Sequence, residues 1–394
     1  MDVIGADPFV LKDPNSEYYY CYSTGEGIGD HPFYLYRSID LLHWEKRPNV
    51  LSPDKDNWGV DWFWAPAVYY NPNNRHYYFF YSARVKKELV PRYFGTSVFD
   101  ECCKIGVAIS SSPEGSFYNM CNHPIEYYPY DPDYIDIDSI TKDPFSRQAV
   151  TLDTSKAKKG VYIPSIDVDL FFDDGRIYMY YSRCCYRNNL YDPQFRKYIE
   201  ESNILGVELD SSFWYDKTAT MVPRIKDIEI GYSAKDPSIR QDKFHQIISY
   251  HHEPQPWENS HIDDYEKSHG KLHNRRWSEG SNTIAIDSNG KKKYLIFYSC
   301  NFFESCYYGV GYAKANTPLT QFKKSPQNPI VHQVPEKSLY STGHGMVINK
   351  DDQPYYFFHG KKNKNDPRIL YYGRLNIADE NNVSVTDIRS CEMI

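Results

Sequence analysis

The sequence predicts an all-β fold: a five-bladed β-propeller with long loops on one face. Three observations carry this. An aromatic-rich strand ending in Tyr-Ser or a close variant occurs five times: EYYYCYS (17–23), HYYFFYS (76–82), RIYMYYS (176–182), KYLIFYS (293–299) and PYYFFHG (354–360). A short strand precedes each copy: ADPFVLK (6–12), WAPAVYY (64–70), IDVDLFF (166–172), EGSNTIAI (279–286) and GHGMVI (343–348). Between the two lie turn residues every time: DPNSE (13–17), NPNNR (71–75), DDGR (173–176), DSNGK (287–291) and NKDDQ (349–353). Such pairs are tight hairpins. Their recurrence marks units that must stack to bury their apolar faces.

A third strand follows each hairpin: FYLYRSI (33–39), KIGVAIS (104–110), NILGVELD (203–210), YYGVGYA (307–313) and RILYYGRL (368–375). Each unit is therefore an antiparallel sheet of three or four strands, and five such sheets set radially make a propeller. We expect one propeller over residues 1–394, with blades starting near 6, 64, 166, 279 and 343 and insertions at 119–162 and 214–277.

Composition narrows the function. Aromatics make up 16% of the chain, driven by 38 Tyr, while mean hydropathy is -0.68. Many phenols must then pack a ring and leave a wet or bonded hydroxyl, a surface that suits sugars. The net charge of -7 and the lack of a basic stripe argue against nucleic acid as partner. KKNK (361–364) and KKK (291–293) read as solvated turns. No run of about 18 apolar residues predicts a membrane span. MDVIGADPF lacks the basic start and apolar run of a signal peptide. Nine Cys, with vicinal pairs at 102–103 and 184–185 but no CxxC, suggest free thiols rather than a disulfide framework. Together these lead us to expect a cytoplasmic location over a trimmed secreted form. No Cys/His set has zinc-ligand spacing; the His-rich stretch 245–273 reads as loop.

Strand direction places the candidate residues. Strand one of each blade starts at one face of the disc, and the loop after strand two returns there, as does the crossover to the next blade. The long segments 84–103, 119–162, 183–202 and 214–277 fall at those positions and should wall a cleft. Asp7, Trp64, Asp167, Glu279 and His344 head the five blades and converge there. Asp or Glu at a strand start commonly caps a turn, but three carboxylates converging on one funnel suit glycoside hydrolysis. That reaction needs one carboxylic acid to protonate the leaving oxygen and one carboxylate to activate water or attack carbon. A third tunes the acid by like-charge repulsion. Trp64 offers a sugar-stacking face or packs a blade junction. Trp62 and Phe63 cannot both share its direction on a strand. His344, between two glycines, touches substrate, holds water or a cation, or is simply buried. Arg84 and Arg183 follow the Tyr-Ser of blades two and three and belong to the same rim, as substrate contacts or solvated loop residues.

In order, ADPFV, WAPAVYY, IDVDLFFDDG, SEGSNTI and GHGMV resemble the inverting glycoside hydrolases of family 43, which are five-bladed propellers. YRSIDLLHWE (36–45), IGVAISSSPEGSF (105–117) and VGYAKANTPLTQF (310–322) are similar too, so the likeness spans about 5–375. The resemblance implies Asp7 as general base, Glu279 as general acid and Asp167 as modulator of the acid. It implies Trp64 as an active-site aromatic, Arg368 as a substrate contact, and His344 as a residue near the axis that in some members binds calcium. No cofactor is otherwise required. The implied substrates are oligosaccharides or polysaccharides with α-L-arabinofuranosyl or β-D-xylosyl linkages. Two departures stand out: Val168, where the family has Pro, is followed by a second acid, Asp169, and Gly280 is followed by Ser281. Three other readings remain: a non-catalytic sugar-binding propeller, an endo-arabinanase or other propeller glycosidase, and a phosphate-using enzyme served by Arg84 and Arg183. WD and kelch scaffolds are excluded by the absence of their repeat signatures.

Overall fold

The computed structural model describes residues 1–28, 31–51, 57–97, 99, 101–136, 141–143, 148–149, 158–183, 191–192, 197–198, 202–227, 244–249, 252–258 and 277–394. Five antiparallel blades follow one another along the chain. Blade 1 is Ala6–Lys12, Tyr19–Thr24, Phe33–Ser38 and His43–Arg47, with Glu392–Met393 added parallel to its outer strand. Blade 2 is Gly59–Asn71, His76–Val85, Cys103–Ser110 and Tyr118–Asn119. Blade 3 is Ile166–Asp173, Arg176–Ser182, Ile204–Leu209 and His245–Ile248, so its outer strand lies inside the expected 214–277 insertion. Blade 4 is Ser278–Ser288, Lys291–Cys300, Gly309–Ala315 and Lys323–Lys324. Blade 5 is Tyr340–Lys350, Gln353–Lys361, Ile369–Asp379 and Asn382–Ser390. In the 119–162 insertion, Tyr130–Asp136 pairs with Lys158–Tyr162.

The repeated aromatic strands are strand two of each blade, and both their faces are buried. Alternate side chains point to opposite neighbours, as strand pleating requires. Tyr77, Phe79 and Tyr81 pack against blade 1, whereas Tyr78 and Phe80 pack against blade 3. Likewise Tyr178 and Tyr180 join blade 4, and Phe357 joins blade 1 while Tyr356 and Phe358 join blade 4. Five interblade cores result, one per junction, and this explains why these strands read as unbroken apolar runs rather than alternating ones.

At its inner end, strand one of every blade carries the same irregularity. The pairs Ala6↔Thr24, Trp64↔Ser82, Ile166↔Ser182, Glu279↔Ser299 and Gly343↔His359 are each followed by three residues on strand one against two on strand two. This is a β-bulge with one extra residue. The residue after each pair is left-handed: Asp7 (φ 50), Ala65 (48), Asp167 (56), Gly280 (57) and His344 (46). Its amide crosses to the preceding blade. Ala65 N–H donates to Thr24 Oγ1 (2.8 Å), Asp167 to Ser82 Oγ (3.0 Å), Gly280 to Ser182 Oγ (3.2 Å), His344 to Ser299 Oγ (2.6 Å), and Asp7 to His359 Nδ1 (3.0 Å). Five side-chain acceptors thus close a ring around the axis.

This register corrects two sequence expectations. The residues equivalent to Asp7, Asp167 and His344 are Ala65 and Gly280, so Trp64 and Glu279 stand one place earlier than assumed. In blade 1 the Tyr22-Ser23 pair is likewise offset by one, and Thr24 takes the part played elsewhere by Ser.

Replacing Ser82, which is fully buried, with Ala leaves the Asp167 amide without its acceptor. Urea unfolding should show a loss of about 1–3 kcal/mol, the cost of a buried unsatisfied donor.

Candidate active site

The inner ends of the strands open onto a cavity of about 140 Å³. Asp7, Trp64, Asp167, Glu279, His344 and Arg368 all line it. The bulges make this possible. A regular strand sends consecutive side chains to opposite faces, yet Ile166 and Asp167 both reach the cavity.

Asp7 sits among positive and hydroxyl groups. Its Oδ1 is 3.3 Å from His344 Nδ1 and 3.5 Å from Arg368 Nη1, and Thr24 donates to its Oδ2 at 2.7 Å. Burial alone would raise its pKa, but these neighbours overcome it and lower it to about 2. Glu279 is treated differently. Burial, then the charge of Asp167, raise it to about 7, although Trp277 Nε1–H and the Tyr308 hydroxyl each donate to it at 2.8 Å. Asp167 is also raised to about 7, by burial and then by Asp7, against the bonds it accepts from Ser182 and the Gly280 amide. One carboxylate is thus held ionised while two others keep their protons to near neutrality, the kind of contrast in environment that can separate a base from an acid.

Asp169 lies one step along the axis. It accepts bonds from Asn282 and Thr283 of blade 4 and lines a small axial cavity rather than the main one. Asp167, unlike Asp169, lines both, as do Asp7 and His344. Trp64 stacks on Trp62 (5.0 Å, 10° between planes), and the Arg84 guanidinium lies over Trp62 at 4.6 Å. Phe63 instead packs in the blade 1–2 core.

Neither arginine from the Tyr-Ser positions lines the cavity. Arg84 donates to Asp61 at 2.7 Å, and Arg183, 2% exposed, bonds Asp131 at 2.9 Å. The rim arginine is Arg368, whose guanidinium rests on Phe303 at 4.6 Å. Sequence reasoning missed Asn301, Phe302, Phe303 and Tyr308 as site residues. They form the loop after strand two of blade 4, and extending to that blade the logic applied to Arg84 and Arg183 would have found its start.

Among the described residues no three His, Cys, Asp or Glu side chains are grouped to hold a metal. His344 turns Nδ1 toward Asp7 at 3.3 Å. Cys102 and Cys103 are buried free thiols. Cys184, Cys185 and most of the His-rich stretch lie outside the described residues. No helix among the described residues is long and apolar enough to cross a membrane.

Comparison with known proteins agrees with this geometry. Residues 2–147 match the sequence model of Glycosyl hydrolases family 43. A thermostable family-43 glycoside hydrolase of solved structure matches at 25% identity over 98% of this chain and 93% of that one, with a TM-score of 0.60. Over residues 2–147 the chain is similar to the family 43 glycosyl hydrolases. Two further solved structures share the fold. An endo-1,4-beta-xylanase from Bacteroides thetaiotaomicron VPI-5482 is 24% identical, covering 100% of this chain and 98% of its own (TM-score 0.64). An alpha-L-arabinanase from Cellvibrio cellulosa, complexed with arabinohexaose, is 14% identical, covering 98% and 96% (TM-score 0.57). No curated protein matches the chain.

The raised Glu279 carboxyl has a consequence for stability. A carboxyl whose folded pKa lies above its unfolded value loses stabilisation as pH rises from about 4.5 to about 7. Glu279→Gln should therefore raise thermal stability at pH 8, by on the order of 2 kcal/mol, and by much less at pH 5.

Proposed function

We propose that the protein is an inverting glycosidase acting on α-L-arabinofuranosyl or β-D-xylosyl linkages of plant-type oligosaccharides or polysaccharides. The observation that carries this reading is the opposite proton affinity of Asp7 and Glu279 on one cavity. Protonated Glu279 gives its proton to the glycosidic oxygen. Ionised Asp7 takes a proton from the water that attacks the anomeric carbon from the opposite face. Asp167 holds the acid's proton affinity high, because its charge disfavours ionisation of Glu279. Trp64, backed by Trp62, offers a flat face to the sugar ring, and Arg368 and His344 meet its hydroxyls. The choice of pentose rests on the motif resemblance and on the xylan- and arabinan-named neighbours of like fold. A cavity flanked by Phe302 and Phe303 favours action at a chain end.

Aryl α-L-arabinofuranoside, β-D-xyloside and β-D-galactoside should separate the substrates. One pentoside should be cleaved, and Glu279→Gln or Asp7→Asn should lower kcat/KM by about 10²–10⁴-fold, the usual contribution of a general acid or base. Proton NMR should show the inverted anomer first, in keeping with the roughly 6.5–9.5 Å carboxyl separation such enzymes need. First-formed retained anomer would sink the mechanism. Hydrolysis of polymer alone would mean internal cleavage, and silence on every glycan would leave a sugar-binding propeller.

In the pH profile, kcat/KM should fall above about 7 as Glu279 loses its proton. EDTA should leave the rate unchanged; a loss restored by calcium would instead place an ion against His344.

A further inference from the structure

Four acceptors of the interblade ring are hydroxyls, and the fifth is His359. A hydroxyl serves the backbone bond elsewhere, so the imidazole adds something a hydroxyl lacks: a flat face. Tyr308 lies against that face, centroids 5.7 Å apart and planes 18° from parallel. The same Tyr308 donates its hydroxyl to Glu279 Oε1 at 2.8 Å. Room for its ring comes from Gly343, the register partner of His359. A Cβ on Gly343 would stand 2.1 Å from Tyr308 Cε1. Contacts therefore run without a break from the Asp7 amide through His359 and Tyr308 to the Glu279 carboxyl.

We propose that Tyr308 and His359, seated on Gly343, are a positioning pair that fixes the separation and orientation of Asp7 and Glu279. The inference rests on the assignment of those two carboxyls as base and acid. Rigidity is what the chemistry demands there, since misplacement by about 1 Å can cost about 10²-fold in rate. His359 is suited to the part because it stays neutral. Its Nδ1 accepts from the Asp7 amide, so its proton sits on Nε2, which is buried and without a partner among the described residues. Burial holds its pKa well below the usual value; Arg368, His344 and Lys361 push the same way, and only Asp7 opposes them. A charged ring would turn Nδ1 into a donor and give up the Asp7 amide.

Three variants test the pair. Tyr308→Phe keeps the ring and removes the hydroxyl. His359→Ser keeps an acceptor for the Asp7 amide and removes the flat face. The third combines them. Titration of the Glu279 carboxyl by carbon-13 NMR on protein labelled at glutamate Cδ, assigned with Glu279→Gln, needs no turnover. The other groups facing Glu279, namely Asp167, His344 and Trp277, are unchanged throughout. Both single variants should move the Glu279 titration upward, because a bond that stabilises its ionised form is lost. The double variant should move it no further than the larger single, as expected for partners in one network. In the active enzyme kcat should fall about tenfold or more with KM little changed, the mark of a lost transition-state arrangement.

A folded His359→Ser protein with the wild-type Glu279 titration, or shifts that add in the double variant, would overturn the proposal. If His359→Ser does not fold, Gly343→Ala, which keeps both side chains and wedges the ring away, must give the same upward shift. Coupled titrations in a protein that hydrolyses no glycoside would uphold the pair and refute the glycosidase reading. Hydrolysis with uncoupled titrations would do the reverse.

Discussion

The ring of five amide-to-side-chain bonds at the axis is the constraint on which the site depends. A left-handed residue outside glycine costs about 1–2 kcal/mol, and four of the five ring positions are not glycine. That strain persists because each strained amide is fastened to the blade before it, and each blade is fastened to the next by a fully buried aromatic core. The bulges in turn decide which side chains reach the funnel. Without the extra residue, Asp167 would point away from a cavity that Ile166 faces. Fold closure and site assembly are the same five contacts.

That frame also separates the carboxyls electrically. Asp7 enters from blade 1 and meets His344 and Arg368 of blade 5, whereas Glu279 enters from blade 4 and meets Asp167 of blade 3. Basic side chains therefore surround Asp7, whereas a second carboxyl faces Glu279. Desolvation acts on both acids, and only Asp7 has cationic neighbours strong enough to reverse it. Circular order of the blades thus fixes which acid keeps its proton.

Much of this was legible in the sequence because strand two of each blade is buried on both faces and so repeats as an aromatic run. The heads Asp7, Asp167 and His344 were legible for the same reason. The one-residue offset of Trp64 and Glu279 was not, since a bulge adds a residue without altering composition. Thr24 was hidden likewise, because Tyr22-Ser23 mimics the motif one place too early. Topology assigned Arg84 and Arg183 to the rim, but they pair instead with Asp61 and Asp131, acids at no fixed spacing from them. Arg368, by contrast, stood out only through resemblance. Tyr308 looked like the second residue of an ordinary third strand; its meaning comes from a loop whose path no local pattern specifies.

Blade 5 shows how one repeat departs from the others to serve the site. Its strand two ends in His359-Gly360, where blades 2, 3 and 4 end in Ser, and its strand one has Gly343 opposite that residue. Each change alone would be costly: an imidazole with an unpartnered Nε2, or a glycine in a buried strand. Together they make a slot in which an aromatic ring from blade 4 stacks, and blade 5 is the one junction between the blade carrying Glu279 and the blade carrying Asp7. A serine would close the ring of backbone bonds equally well, yet it would leave the Tyr308 ring no surface to rest on. The exception to the repeat falls at the junction where the two opposed carboxyls must be held apart.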